Sequence, residues 1–277
     1  MTGVQVIPQP HFSMGLASFA AQDPGGWTSL REQALAYDRA GVDRLAISDH
    51  VVFGEDLDEY GRPEIGGRAG GVQSTGPDGH WLEPLTTLAY IAGFTERVRL
   101  STNILLAALR RPVVLAKSAA TLDILSNGRL DLGVGVGWQR AEYDAAGLPF
   151  ARRGDLLNHT LDVCRTLWTQ QVAHYDSAEL SFADVHMMPK PLQPDGVPIW
   201  VSGTVNKRVQ RIVRYGCGWI PWGPAADDIQ TGIGEMKASV ERAGGDPNTL
   251  QVTTALPAIR DSDGRLYRPR WVKSAHW

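Results

Sequence analysis

The chain of 277 residues has little cysteine: only Cys164 and Cys217, far apart and without CxxC spacing. That pattern excludes a disulfide-stapled scaffold and a thiolate zinc site. No run of eighteen apolar residues occurs, so no segment reads as membrane-spanning and no membrane partner is expected. Positive charge is not in excess, because 27 Lys and Arg stand against 30 Asp and Glu. Nucleic acid is therefore a poor partner. The opening MTGVQVIPQPHFSM lacks a charged stretch followed by an apolar one, so no secretory signal is read and a soluble cytoplasmic protein is expected. The seven histidines show neither HxH nor HExxH spacing, and no metal is expected. The nucleophile elbow of serine hydrolases and the phosphate loop of P-loop NTPases are also missing.

What is present is a 43% hydrophobic composition with 30 glycines, 17 prolines and nine tryptophans. That suits a globular chain with a large core. Strand and helix patterns alternate. A helix is predicted from Gly26 to about Ala40, with Trp27, Leu30, Ala34 and Tyr37 at helical spacing. Ser29 with Glu32 could form its capping box, and Gly41 stops it. Strands are predicted over 43–48, 97–104, 129–137, 197–202, 218–221 and 250–255. Helices are predicted over 85–95, 113–125, 155–168, 207–215 and 229–240. With 12–19 as a first strand, βα repeats about seven times, which implies parallel pairing with right-handed crossovers. An open doubly wound sheet and a (β/α)₈ TIM barrel both satisfy this alternation. Glycines that follow several different strands, rather than the first alone, favour the barrel.

Two stretches break the rhythm. Residues 51–83 hold eight glycines and no periodicity, as expected of a lid or binding loop, or of a plain surface insertion. Residues 171–189 read as an inserted strand pair, either on the lid side or at a subunit contact. Three places could carry chemistry. Asp49 and His50 follow the second main strand directly and offer a carboxylate and a titratable imidazole in one loop. Gly133-Val134-Gly135-Val136-Gly137-Trp138 is not a dinucleotide fingerprint. Its glycines either let a ligand approach the backbone or make room for packing. Ser202-Gly203-Thr204 precedes a helix carrying Lys207 and Arg208. It is a candidate phosphate site, or an ordinary helix cap.

Several motifs occur in one order: "GVDRLAISDHVVF", "WLEPLTTLAYIAGFTERVRLSTNILL", "RRPVVLAKSAATLDILSNGRLDLGVGVGWQRAEYDAAGLPFARRGDLL", "PIWVSG" and "GCGWIPWGP". Together they resemble the luciferase-like monooxygenase superfamily, in its deazaflavin-dependent actinobacterial branch that uses coenzyme F420. The resemblance runs from about Phe12 to Pro257 and is most specific from Arg111 to Leu157. It implies a (β/α)₈ barrel with a flavin or deazaflavin across the C-terminal ends of its strands. It implies hydride transfer between coenzyme F420 and a small organic substrate, or FMN-dependent monooxygenation with a reductase partner. His50 and Asp49 match the loop where an imidazole and an acid approach ring and substrate. Thr102, Asn103 and Ile104 match a backbone bulge, often with a non-proline cis peptide, behind the ring. Gly137 and Trp138 match the lining of the cofactor pocket, and Ser202, Gly203 and Thr204 the contact with the phosphate tail. Glu142 and Arg153 match a recurrent acid and arginine, read either as catalytic or as a buried pair bracing the loop. Trp138 and Trp219 should lie near the pocket. Many relatives are dimers, so a homodimer is one implied assembly.

The C-terminus departs from that pattern. Only 20 residues follow Pro257, whereas a βαβ unit needs about thirty or more. Residues 258–277 carry five basic and two acidic residues, against 22 and 28 in the remainder. The expectation is a barrel domain over 1–257, incomplete at its C-terminal end, followed by an atypical basic tail over 258–277. Truncation or a shifted reading frame near Asp263-Gly264 would produce such a tail. A degenerate, non-catalytic barrel is the corresponding third functional reading.

Overall fold

The computed structural model describes residues 11–254 and two short paired strands, Ile259–Arg260 and Leu266–Tyr267. The predicted alternation is there. Its main strands are β1 (Ser13–Gly15), β3 (Arg44–Ile47), β5 (Arg99–Thr102), β6 (Leu130–Val134), β9 (Ile199–Gly203), β10 (Gly216–Pro221) and β11 (Gln251–Val252). These seven lie in one sheet in the order β1-β3-β5-β6-β9-β10-β11, and every neighbouring pair is parallel. Among the described residues β1 and β11 do not pair with each other. The described residues thus form a curled sheet of seven parallel strands that is open on one side, in keeping with the incomplete barrel that was expected. Most of the tail lies outside the described residues.

Short antiparallel pieces decorate this sheet. The predicted first strand is split in two, and its second part β2 (Phe19–Ala20) pairs with β4 (His80–Trp81) at the end of the long loop. The inserted segment is a hairpin, β7 (Ala173–Asp176) with β8 (Ser181–Val185). It lies along α5 (Arg153–Thr169), held by His159 to Tyr175 and Arg152 to Glu179.

The helices form where apolar spacing and end signals agree. Helix α1 (Thr28–Ala40) buries Leu30 and Ala34 and ends at Gly41, whose φ of 77° suits a residue without Cβ. It begins at Thr28, so Ser29 falls inside the helix. No side-chain cap is made, and the expected Ser29–Glu32 box does not form. Helix α2 (Pro84–Ala92) is capped by Glu83, which accepts the Thr86 N–H. Helix α3 (Pro112–Leu125) places Pro112 in its first turn, as predicted. Helices α2, α3 and α5 join the outward faces of β3, β5 and β6 in one core that includes Leu45, Ile47, Leu100, Leu132, Leu161 and Trp168.

The N-terminal ends of the strands carry fixed charge. Buried Asp131 takes Arg44 at 3.0 Å and Arg99 at 2.7 Å, and the Arg44 guanidinium lies 4.2 Å from the Trp200 ring centre. In this architecture that end serves stability, and the opposite end carries the loops that make sites.

One carboxylate ties helix to sheet. Asp38, in the last turn of α1, accepts the backbone N–H groups of Glu96, Arg97 and Val98 just before β5. Partial burial would raise its pKa, but these three bonds outweigh it and hold the carboxyl below its ordinary range. Replacing Asp38 by alanine should cost about 2 kcal/mol at neutral pH, the scale of hydrogen bonds to a charged group. A depressed carboxyl contributes stability above its unfolded pKa and loses it as pH falls through the folded value. Urea unfolding of wild type and variant should therefore converge below about pH 4. A gap that persists unchanged there would show that the ionised form is not what matters.

Candidate functional site

Parallel pairing puts the loops after β3, β5, β6, β9 and β10 on one face of the sheet. His50 stands at the start of the first of these loops, among aromatic rings. Phe53 lies 4.4 Å from it between ring centres, Trp81 4.8 Å edge-on and Trp138 5.7 Å edge-on. Tyr60 continues the wall, 5.3 Å from Trp138 and 6.2 Å from Trp222. The His50 side chain is 11% exposed. Its Nε2 lies 3.0 Å from the Gln73 side-chain nitrogen, and its Nδ1 lies 3.3 Å from Glu142 Oε1.

Asp49 points elsewhere. Its buried carboxylate takes both terminal nitrogens of Arg110, at 2.6 and 3.1 Å, and the Leu106 backbone N–H at 2.8 Å. Arg110 also reaches Glu83 at 2.9 Å. Burial of the guanidinium would lower its pKa, yet Asp49 and Glu83 together hold it above its ordinary range. Asp49 thus ties the loop after β3 to the segment after β5.

That segment is the bulge. The Asn103–Ile104 peptide is cis, Asn103 is exposed and Ile104 half-buried, and Thr102 is fully buried with its hydroxyl on the Gly133 carbonyl at 2.8 Å. The glycines in and just after β6 fit around it. A Cβ at Gly133 would overlap the Thr102 carbonyl oxygen, and one at Gly135 would stand 2.7 Å from Ile104 Cδ1. Gly137 has φ 69° and lies under the Leu106 side chain. These three glycines make room for the neighbouring strand's bulge, which is the packing reading of the motif.

The long loop packs against the segments that follow β6 and β10. Its Val51 and Gly54 N–H groups donate to Glu142 and Gln139 at 2.8 and 2.9 Å. Its Ile65 carbonyl accepts Arg153 at 2.8 Å, and its Gly66 and Gly67 carbonyls accept the Trp222 indole N–H at 3.1 Å. Arg68 pairs with Asp227 at 2.8 Å. A cavity of about 360 Å³ is lined by this loop's Tyr60, Arg68 and Val72 among others. Trp81 joins the site through this loop, stacked on Phe19 at 4.2 Å, while His80 stays exposed.

Two expectations need correction. Glu142 and Arg153 form no ion pair; Arg153 instead lies over the Phe150 ring at 3.9 Å and donates to Phe150 and Ile65 carbonyls. Trp219 is a buried residue of β10 with its indole N–H on the Gly203 carbonyl, and Trp222 takes its place in the aromatic wall. Ser202 and Gly203 end β9, and exposed Thr204 precedes α6 (Val205–Tyr215) without a side-chain capping bond. A helix start without a side-chain cap is the kind of place that suits an anion. The side chains of Lys207 and Arg208 lie outside the described residues.

Sequence reading missed Phe53, Tyr60, Gln73 and Trp222, because a loop without periodicity does not announce its contacts. Cysteine chemistry has no footing here. Burial pushes the Cys217 thiol up to about 11 and Cys164 well above its ordinary value, so both stay protonated.

A family model for luciferase-like monooxygenases matches residues 11–268. The chain belongs to the luciferase-like monooxygenase family. An uncharacterized protein of Mycobacterium tuberculosis is 40% identical over 140 residues, covering 50% of this chain and 49% of that one. The matched stretch thus spans about half the length of that relative. Among solved structures, monooxygenase RslO1 from Streptomyces bottropensis superposes with a TM-score of 0.69 at 23% identity, over 92% of this chain and 73% of that one. An F420-dependent secondary alcohol dehydrogenase bound to an F420-acetone adduct gives 0.67 at 18% identity, over 87% and 67%. These two likenesses show the fold. No helix among the described residues is long and apolar enough to cross a membrane.

Proposed function

We propose that this luciferase-like chain is an oxidoreductase that transfers hydride between coenzyme F420 and a small organic substrate. One observation carries the reading. His50, Asn103–Ile104 and Gly137–Trp138 meet at the C-terminal ends of three adjacent strands. The residues present suit a planar ring with an anionic tail. Asn103 and Ile104 offer an accessible backbone floor, Trp138 a flat apolar neighbour, and the uncapped start of α6 a set of N–H donors. Within this proposal Thr102, Asn103, Ile104, Gly137 and Trp138 hold the ring, and Ser202, Gly203 and Thr204 hold the phosphate end.

When bound, the deazaflavin supplies the hydride acceptor or donor. The chain supplies geometry, exclusion of water and one proton site. His50 Nε2 takes or gives the substrate proton, and the loop 51–83 covers it. Asp49 acts through structure, holding the bulge through Leu106. FMN-dependent monooxygenation is the second reading, favoured by the fold likeness to RslO1.

The test is a screen of small alcohols and ketones with coenzyme F420, followed by the deazaflavin's absorbance with and without oxygen. The expected result is substrate-dependent change that oxygen does not affect. Oxygen uptake with FMN and a flavin reductase, with no F420-dependent change, would replace this reading by the monooxygenase one.

A further inference from the structure

Two buried polar atoms beside each other lack an aligned hydrogen bond: His50 Nδ1 and Glu142 Oε2. The Glu142 side chain is completely buried in α4 (Arg140–Ala145), and its other oxygen accepts the Val51 N–H and stands 3.3 Å from His50 Nδ1. On the far side of the ring, Nε2 meets Gln73. The Gln73 amide has a defined direction, because the Ser74 backbone N–H, which can only donate, points at its Oε1 at 3.1 Å. The NH2 group of Gln73 therefore faces His50, and His50 Nε2 must accept. In the neutral ring an accepting Nε2 leaves the proton on Nδ1, where it faces the Glu142 carboxylate.

We propose that Glu142 is the positioning residue of His50, holding the imidazole as the Nδ1–H tautomer with a bare Nε2 that Gln73 covers while the long loop is closed. A free histidine side chain favours the opposite, Nε2–H tautomer, so the site must enforce this one. Nε2 is then set to accept a proton, and a substrate hydroxyl that reaches it must take the place of the Gln73 amide. A carboxylate behind a histidine serves other sites in the same way, fixing tautomer and ring direction. The use of the bare nitrogen rests on the functional reading above; the tautomer itself does not.

The test reads the ring directly. Protein with 15N-labelled histidine rings is examined by NMR at alkaline pH, where a histidine ring is neutral, and the His50 signals are assigned by their loss in His50→Asn. The expected wild-type spectrum has Nδ1 in the protonated, pyrrole-like region and Nε2 in the unprotonated, pyridine-like region. Glu142→Ala should move both signals toward the free-histidine pattern, and Gln73→Ala should leave the wild-type assignment in place. A protonated Nε2 in the wild type overturns the proposal. So does a tautomer unchanged in Glu142→Ala, or one reversed in Gln73→Ala. The spectra need neither cofactor nor substrate, so an inactive enzyme with the Nδ1–H ring would count against the function and not against the tautomer.

Discussion

Replacing His50 by alanine is expected to lower turnover roughly 10²–10⁴-fold, the range ascribed to a lost general acid or base. The imidazole is a proton-transfer group that the structure places within the aromatic wall at the strand ends. Asp49 cannot substitute for it, since both its oxygens are engaged by Arg110 and Leu106. The loss should fall in kcat, because the proton moves only as the transition state forms. His50→Gln keeps most of the ring's volume among Phe53, Trp81 and Trp138, so it separates proton transfer from packing. Both variants turning over at the wild-type rate would remove His50 from the mechanism.

The second large effect is on stability. Arg110→Met should lower the unfolding free energy by about 3–5 kcal/mol, because it leaves the Asp49 carboxylate buried and unpaired. Only 1% of the Asp49 side chain and 16% of the Arg110 side chain are exposed, so solvent cannot take over the charge. The double change Asp49→Asn with Arg110→Met should recover part of the loss, since the buried charge is then gone. The measurement is the denaturant midpoint of the two variants against wild type. A loss below about 1 kcal/mol for Arg110→Met would match an exposed pair and contradict the geometry. The same pair anchors the Leu106 N–H, so its loss should loosen the cis Asn103–Ile104 segment as well.

How much of this was legible beforehand follows from the range of each interaction. The helices were readable because their determinants are local. Leu30 and Ala34 share one face, Gly41 ends α1, and Pro112 opens α3. The parallel order was readable from the alternation alone. The failed Ser29–Glu32 cap reflects a helix that starts two residues earlier than the motif requires. The role of Gly133 and Gly135 was not readable, since it depends on the Thr102 carbonyl and the Ile104 side chain on the neighbouring strand. Arg153 misled for the same reason: only the folded lid brings the Ile65 carbonyl to it. His50 was found as a loop residue after a strand, but its partners Gln73 and Glu142 are 23 and 92 positions away. Asn103–Ile104 and Gly137–Trp138 were placed through family resemblance, and the chain's membership in that family now stands on residues 11–268.

The central claim is that the loop-bearing face of this sheet is a flavin-type site. The most direct test is titration of the purified chain with coenzyme F420 and, separately, with FMN, followed by intrinsic tryptophan fluorescence. Trp81, Trp138 and Trp222 all stand in the aromatic wall and should report occupancy. Saturable quenching by coenzyme F420 is the expected result for a flavin-type site, and it should weaken when Trp138 is replaced by phenylalanine. A folded sample whose fluorescence responds to neither cofactor would contradict the claim.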